Sequence, residues 1–291
     1  MRDLLGFVLP AIVSCSCWWL ISSIRPGPQG KVWAGAAGSA CGFFAGFAWF
    51  ESAQLFPSTY WHWLPWLGLL TLLGPIESTV ARSFGIQRAW LLWLSVAVAS
   101  AWMLVPTWPD LSPARGWYVA IFAAGVWFLS ISLKPLSRRA AGHALLPSMC
   151  VSTLAGAGLL ATTFSLRFGM LAAVAASALT GVWLASQRDV FTRGTSCPAD
   201  CGNPTAGGTH LFYAVVFGGL MLVGELAAVV PSLCFVLLLA APLALWPGEL
   251  PVGARRTGRS ARIIRMIAVL LPIITAVLLA IFVERQALSE K

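Results

Sequence analysis

Charged residues are scarce in this chain of 291 residues, because Asp, Glu, Lys and Arg together make up only 10% of it. A soluble domain carries about 25% charged residues. The sequence also lacks the GxxxxGK[ST], GxGxxG, HExxH and GxSxG motifs, which disfavours P-loop, dinucleotide-binding, zinc-protease and serine-hydrolase classes. Its four Asp all fall outside the long apolar runs, which disfavours metal-assisted membrane transferases.

Apolar residues dominate instead, at 58% of the chain with a mean hydropathy of +0.82. One membrane span needs about 20 mostly apolar residues. The sequence therefore predicts an all-α, polytopic integral membrane protein with about ten transmembrane helices, in a single domain over residues 1–291. The predicted spans are Leu4–Ile24, Val32–Phe50, Tyr60–Ile76, Ala89–Val105, Gly116–Leu133, His143–Thr163, Phe168–Ala185, Leu211–Val230, Ser232–Trp246 and Met266–Val283.

Lys and Arg are distributed unequally between the two ends of these spans. If all ten cross the membrane, 14 of the 19 basic residues lie on one side and 5 on the other. Short loops rich in Lys and Arg stay in the cytoplasm. The larger group therefore predicts the cytoplasmic face of a cell membrane, and an even number of spans then places both termini outside. This group contains Arg25, Lys31, Arg82, Arg88, Lys134, Arg138, Arg139, Arg188, Arg193, Arg255, Arg256, Arg259, Arg262 and Arg265.

The charge distribution also decides how doubtful apolar runs are divided. The run Leu211–Trp246 suits either one overlong helix or two short ones. Two helices that turn near Pro231 keep the Arg-rich segment 255–265 in the cytoplasm, and Pro favours a turn. Tyr60–Ile76 is the weakest predicted span, because it contains His62 and Pro65.

Ten spans divide into two halves of five, residues 1–140 and 141–291. A unit with an odd number of spans is inverted in the membrane when it is repeated. His62 opens the third span and Glu77 follows it, while His210 precedes the eighth and Glu225 lies near its end. Both His–Glu pairs are fifteen residues apart. These pairs support the hypothesis of a five-plus-five inverted repeat.

Small residues suggest where helices pack closely. Gly38, Gly42 and Gly46 follow one another at four-residue spacing in the second span, which predicts the close approach of another helix. The stretch Ala172–Gly181 of the seventh span is likewise rich in small residues. We interpret both stretches as packing surfaces.

Tryptophan residues fall near the predicted ends of the spans. Trp61 is an example at the outer face and Trp93 at the inner face. Amphipathic indole rings prefer both membrane interfaces. We therefore interpret these residues as interfacial anchors rather than as a substrate cage.

Five residues are candidates for a substrate or ion pathway: Glu225, Glu77, Glu51, His62 and His210. Glu225 is the strongest, because it is the only acidic residue well inside an apolar run. A buried carboxylate must meet a partner, water or a cation, or be protonated. The alternative interpretation is an interhelical hydrogen bond near the outer interface. Glu51 and Glu77 lie at span edges, where solvated end residues are common.

Five Arg residues precede the last predicted span. Their position suits contact with the anionic lipid headgroups of the inner leaflet, and it is equally the ordinary positive-inside signal. The residues are Arg255, Arg256, Arg259, Arg262 and Arg265.

Cys197 and Cys201, with the distant His210, form too small a ligand set for a structural zinc site. No metal or other cofactor is therefore expected. Membrane lipids are predicted partners and nucleic acid is not, because the basic residues flank spans rather than forming a basic domain. A small-molecule substrate and a homo-oligomer are both open alternatives.

A small transporter or permease is the leading functional hypothesis, with an unknown substrate. It depends on the span count, the repeat hypothesis and Glu225. A non-catalytic membrane scaffold or assembly subunit is the first alternative. An integral-membrane enzyme acting on lipid or glycan is the second, and the missing acid–base constellation disfavours it. The chain resembles small drug and metabolite exporters in size and span count, but their termini usually lie inside.

Overall fold

The computed structural model describes residues 2–51, 56–77, 86–109, 111–139, 142–193, 202–227, 230–249 and 259–289. Every regular element in these ranges is helical. The first five helices are α1 (Arg2–Ile24), α2 (Pro28–Phe50), α3 (Leu64–Leu70), α4 (Ile86–Leu104) and α5 (Arg115–Ser137). The others are α6 (Gly142–Thr163), α7 (Leu166–Arg193), α8 (Ala206–Phe212), α9 (Gly218–Ala227), α10 (Ser232–Ala240) and α11 (Arg259–Ser289).

Eight helical segments in the described ranges are long and apolar enough to cross a membrane. They match eight of the predicted spans, and their ends shift by only a few residues. The other two predictions fall on α4, whose apolar part is Trp90–Leu104, and on the run Tyr60–Ile76. The all-helical prediction is therefore confirmed together with eight helices of membrane-spanning length, and the total of ten stays a prediction.

The third segment, residues 60–76, is a chain of short helices. A 3₁₀ turn over Tyr60–Trp63 leads into α3, and a second 3₁₀ stretch covers Thr71–Ile76. Pro75 lies inside the second stretch, where it cannot donate a backbone hydrogen bond. A 3₁₀ helix rises about 2.0 Å per residue against 1.5 Å in an α-helix, so the segment extends about 30 Å. That length matches the hydrocarbon core of a bilayer.

Helix α2 packs against α1, α3, α7 and α8. A Cβ atom at Gly42 would collide with the Ser14 hydroxyl and with a backbone carbonyl of α1. A Cβ atom at Gly46 would collide with Val174 of α7, and Gly181 of α7 lies against the Ala11 carbonyl of α1. The predicted packing role of both small-residue stretches is therefore confirmed, since only glycine permits these approaches.

The chain reverses direction between α9 and α10, as the sequence predicted near Pro231. Helix α9 ends at Ala227 and α10 begins at Ser232. A Cβ atom at Gly224 would meet the ring of Phe235 at 2.9 Å, so the two helices pack against each other. Helix α10 continues into a 3₁₀ stretch that ends at Glu249, and together they form one segment long and apolar enough to cross a membrane.

The two halves share part of their packing. The first two helices of each half form a closely packed pair, α1 with α2 and α6 with α7. Helix α1 also packs against α7, whereas α2 and α6 have no comparable contact in the described part of the chain. The inverted repeat and the division at residue 140 remain predictions.

Candidate functional site

Four side chains from three distant segments meet in what we name the His62 cluster: Glu51, Trp61, His62 and Arg167. Glu51 follows α2, and Arg167 lies in the first turn of α7. The Arg167 Nε atom donates to Glu51 Oε1 at 2.6 Å, and a second guanidinium nitrogen donates to Oε2. The guanidinium carbon lies 4.5 Å from the centre of the Trp61 ring, and the Trp61 and His62 ring centres are 3.9 Å apart.

A surface cleft of about 330 Å³ opens at this cluster. The Arg167 side chain is 51% exposed and the Glu51 side chain is 10% exposed, so solvent reaches the pair mainly from the arginine. An ion pair in two-point geometry is stronger than a single contact, but solvent screens it. The cleft is lined by Phe50, Glu51, Leu166, Arg167, Met170 and Leu171.

A second group, the His210 cluster, contains Glu77, Trp93, Lys134 and His210. Lys134 Nζ donates to Glu77 Oε2 in an ion pair whose side chains are only 20% and 11% exposed. The Lys134 nitrogen lies 5.3 Å from the centre of the Trp93 ring, within the range of a cation–π contact. The Trp93 and His210 ring centres are 4.9 Å apart.

The two clusters lie at opposite ends of the helical bundle. Helix α6 has 22 residues, so it is about 33 Å long. Lys134 is close to the end of α5, which leads directly into the start of α6, whereas Arg167 begins α7 just after α6 ends. The third segment runs from His62 at one end to Glu77 at the other. The distribution of Lys and Arg predicts that the His210 cluster faces the cytoplasm.

The clusters share a composition that the sequence did not reveal. Each has a buried histidine, a tryptophan that touches both the histidine and a cation, and a glutamate paired with that cation. The His62–Glu77 pairing suggested by sequence spacing is separated in space. His62 and Glu77 instead contact residues from distant segments, each in a different cluster. No local sequence pattern could therefore have predicted the two clusters.

Two tryptophans have a different role from the predicted one. Trp61 and Trp93 are buried, with relative exposures of 8% and 4%. Their faces contact Arg167 and Lys134 rather than the bilayer surface. The anchor interpretation is therefore wrong for these two residues, because neighbouring helices cover their rings.

Glu225 lies in the last turn of α9, which packs against α10. The Ser232 hydroxyl, from the first residue of α10, donates to Glu225 Oε1 at 2.5 Å. The other carboxylate oxygen is buried and has no hydrogen-bond partner in the described part of the chain. The hydrogen bond fits the alternative structural interpretation of Glu225, since it connects two consecutive helices. Glu225 belongs to neither the His62 cluster nor the His210 cluster.

A third polar group lies near the middle of the bundle and was not predicted. The Tyr213 hydroxyl lies 3.1 Å from the carbonyl oxygens of both Leu238 and Leu239, which share its single proton, and Ser152 also donates to the Leu238 carbonyl. Pro242 lacks the N–H that would bond the Leu238 carbonyl in a regular α-helix. Tyr213 itself begins a π-helical turn, Tyr213–Phe217. The hydroxyl groups therefore stabilise an interrupted helix.

The predicted lipid-contacting arginines are only partly described. Arg255 and Arg256 lie outside the described residues, and only the backbone is described at Arg259 and Arg262. Arg265 donates to Glu249 Oε1 at 2.9 Å, and its side chain is mostly buried. This ion pair joins the last two spans, and lipid contact by the five residues stays a prediction.

Comparison of the sequence with models of known protein families finds no match, and comparison with curated proteins finds no similar sequence. The function of this chain must therefore be argued from its own geometry. In each cluster a tryptophan that contacts a cation brings residues of the two predicted halves together. The two clusters are the candidate functional site.

Proposed function

We propose that this chain is a small membrane transporter or permease, in which the two clusters are gates at opposite ends of one pathway. The observation that carries this proposal is that a cluster of charged and aromatic side chains joins the two predicted halves at each end of the bundle. In the His62 cluster, Glu51 of the first half binds Arg167 of the second. In the His210 cluster, the Glu77–Lys134 ion pair lies within the first half. The Trp93 ring of that half contacts both Lys134 and His210 of the second half.

Charged side chains at the ends of membrane helices are costly unless they are paired or hydrated. A closed cluster pairs its charges with each other, and a cluster that opens exposes them to water. The charges are compensated in both arrangements, by each other or by water, so each cluster can switch between an open and a closed state. Opening one end while the other stays closed is the alternating access that transporters need.

The third segment supports the same proposal. Transporters often bind substrate beside interrupted helices, because irregular backbone in a membrane is tolerated where protein or a cavity surrounds it. Here the interrupted segment carries His62 at one end and Glu77 at the other, so a movement along it reaches both clusters.

The first alternative is a scaffold or assembly subunit. It is favoured by one observation, the broad apolar face of α11, on which Ile267, Leu271 and Leu278 are exposed. Lipid alone also covers such a face in any membrane protein. The two functions differ in one respect: a scaffold has no reason to couple its two ends.

Reciprocal accessibility tests the proposal without a known substrate. A cysteine-free variant carries either Met170→Cys, in the cleft at the His62 cluster, or Ser137→Cys, near the His210 cluster. In reconstituted vesicles, Glu51→Gln is expected to increase labelling at position 170 by about fivefold and to decrease labelling at position 137. Fivefold is the lower end of the coupling usual between linked sites.

Glu249→Gln is the matched control, because the Glu249–Arg265 ion pair lies wholly within the second half. It also removes one carboxylate charge, from a pair that is more buried than Glu51–Arg167, and it should not change the two labelling rates in opposite directions. If Glu51→Gln changes labelling at position 170 alone, the ends are independent and the scaffold alternative is favoured. If both positions become more reactive, the variant has loosened the bundle and the gate proposal is wrong.

A further inference from the structure

Each cluster contains a buried histidine with one ring nitrogen that lacks a partner. His62 and His210 are each 1% exposed. Their Nε2 atoms are buried and have no hydrogen-bond partner in the described residues. Leaving a buried polar group unsatisfied costs about 1–3 kcal/mol. Such an atom in a candidate gate points to a ligand or a proton that arrives during function.

The Nδ1 partners assign opposite protonation patterns to the two rings. His62 Nδ1 lies 3.3 Å from the backbone nitrogen of Ser58, whose N–H can only donate, and 2.9 Å from the Ser58 hydroxyl, which can also donate. His62 therefore accepts at Nδ1, and its neutral ring carries the proton on Nε2. His210 Nδ1 lies 2.9 Å from the carbonyl oxygen of Gly207, which can only accept. His210 therefore carries its proton on Nδ1, and Nε2 holds an unshared electron pair.

Charged groups on neighbouring elements surround His210. Lys134 and Arg138 of α5 are the cations that act on it, and Glu77 at the end of the third segment neutralises Lys134. Helix α4 contributes the uncharged ring of Trp93. The ionisable residues at this end of α2 and α6, which also pack against α8, are Lys31 and His143.

We propose that Nε2 of His210 is the binding site of a coupling proton, and that proton uptake there weakens the Lys134–Glu77 ion pair. This inference rests on the proposed transport function and names its coupling ion. The proton comes from a hydronium ion in the water at the predicted cytoplasmic face. One N–H bond forms at Nε2, one O–H bond of the hydronium breaks, and a water molecule remains.

The charge balance explains why this proton would open the gate. Glu77, Lys134 and neutral His210 together carry no net charge, and the protonated cluster carries one positive charge. Two cations then share one carboxylate in a largely dry environment, which is unfavourable. Movement of Lys134 toward water relieves the repulsion between the two cations. The Glu77 carboxylate then compensates the charge of the His210 imidazolium. Proton binding and opening of this end are therefore linked.

His62 is the internal contrast. Its Nδ1 already accepts from Ser58, so a second proton would cost that hydrogen bond. Its Nε2–H is a donor, which suits an acceptor group of a substrate rather than a proton. The two histidines thus occupy similar clusters but have different chemistry, and His62 provides the matched control for His210.

Nitrogen-15 NMR of the imidazole rings tests the assignment on the unmodified chain. The sequence has three histidines, so three pairs of ring signals are expected, and His→Gln variants assign them. We expect His62 to carry its proton on Nε2 and His210 on Nδ1, with the His210 ring becoming doubly protonated as the pH falls. A His210 ring protonated only on Nε2 at neutral pH would overturn the inference.

Labelling of Ser137→Cys tests the link to opening. Labelling is expressed relative to the same protein unfolded in detergent at the same pH, which removes the chemistry of the thiol. We expect it to rise about fivefold from about pH 8 to about pH 5.5, the range in which histidine titrates. His210→Gln should abolish the rise, and His62→Gln should preserve it. A rise that survives His210→Gln would refute the coupling.

The two proposals fail in distinguishable ways. If Glu51→Gln has reciprocal effects on the two ends but His210→Gln leaves the pH response intact, the gates stand and the proton site is wrong. If His210 controls a pH response at position 137 without any reciprocal effect, His210 is a local switch and the transport proposal is wrong.

Discussion

The two ion pairs should differ in their importance for stability, because they differ in burial. Removing one partner of a buried ion pair costs about 3–5 kcal/mol, since it leaves an uncompensated charge. Lys134 and Glu77 keep only 20% and 11% of their side-chain surface exposed, so Glu77→Gln should cost about 3 kcal/mol, the lower end of that range. Arg167 is 51% exposed, so solvent compensates it when Glu51→Gln removes its partner, and the cost should be about 1 kcal/mol.

A double-mutant cycle measures the charge effect directly. Lys134→Met removes the cation but keeps a side chain of similar length. The double variant Glu77→Gln, Lys134→Met buries no unpaired charge, so it should be more stable than Glu77→Gln alone by about 2 kcal/mol. Reversible unfolding in mixed micelles, followed by tryptophan fluorescence, gives the free energies. The reasoning is refuted if Glu77→Gln costs no more than Glu51→Gln, or if the double variant is no more stable than Glu77→Gln.

Two further predictions concern packing. Tyr213→Phe should lower the free energy of unfolding by about 1 kcal/mol. The cost should be smaller in a Pro242→Ala background, because the alanine supplies an N–H to the Leu238 carbonyl. Tyr118→Phe is the control, since the Tyr118 hydroxyl forms its hydrogen bond at the surface. An equal cost in both backgrounds would contradict the role assigned to Pro242. Gly42→Leu should lower the free energy of unfolding by about 3 kcal/mol, because Ser14 and a backbone carbonyl of α1 occupy the space that the new side chain needs. The control is Gly125→Leu, which should change the melting temperature little because a side chain at position 125 meets open space.

Most of the helical layout could be predicted because its signals are local. Apolar runs of membrane length appear in any window of about 20 residues, and eight of them are confirmed as helices. The turn near Pro231 was also predictable, because the charge rule and the proline agree. The third segment was the weakest prediction for a physical reason. Pro75 interrupts α-helical hydrogen bonding, and the 3₁₀ stretches compensate for the short α-helix with their larger rise per residue.

The candidate site could be predicted only in its parts. Glu51, Glu77, His62 and His210 were all selected as polar residues at span ends, but Glu225 was ranked first. Glu225 was selected for being acidic inside an apolar run, and the structure places its carboxylate beside the Ser232 hydroxyl. The position of a residue in a span indicates how costly its charge is. That position does not indicate which neighbouring side chain compensates the charge.

The sequence alone determined that the protein has apolar helices of membrane-spanning length, and it predicts their orientation in a membrane. It can do so because hydropathy and charge are properties of single residues and short runs. Only the tertiary structure decided which polar residues meet. It joined Glu51 to Arg167 across 116 positions of the chain and brought Lys134 to Glu77. These partners come from different helices, and helix packing rather than spacing along the chain determines their distance.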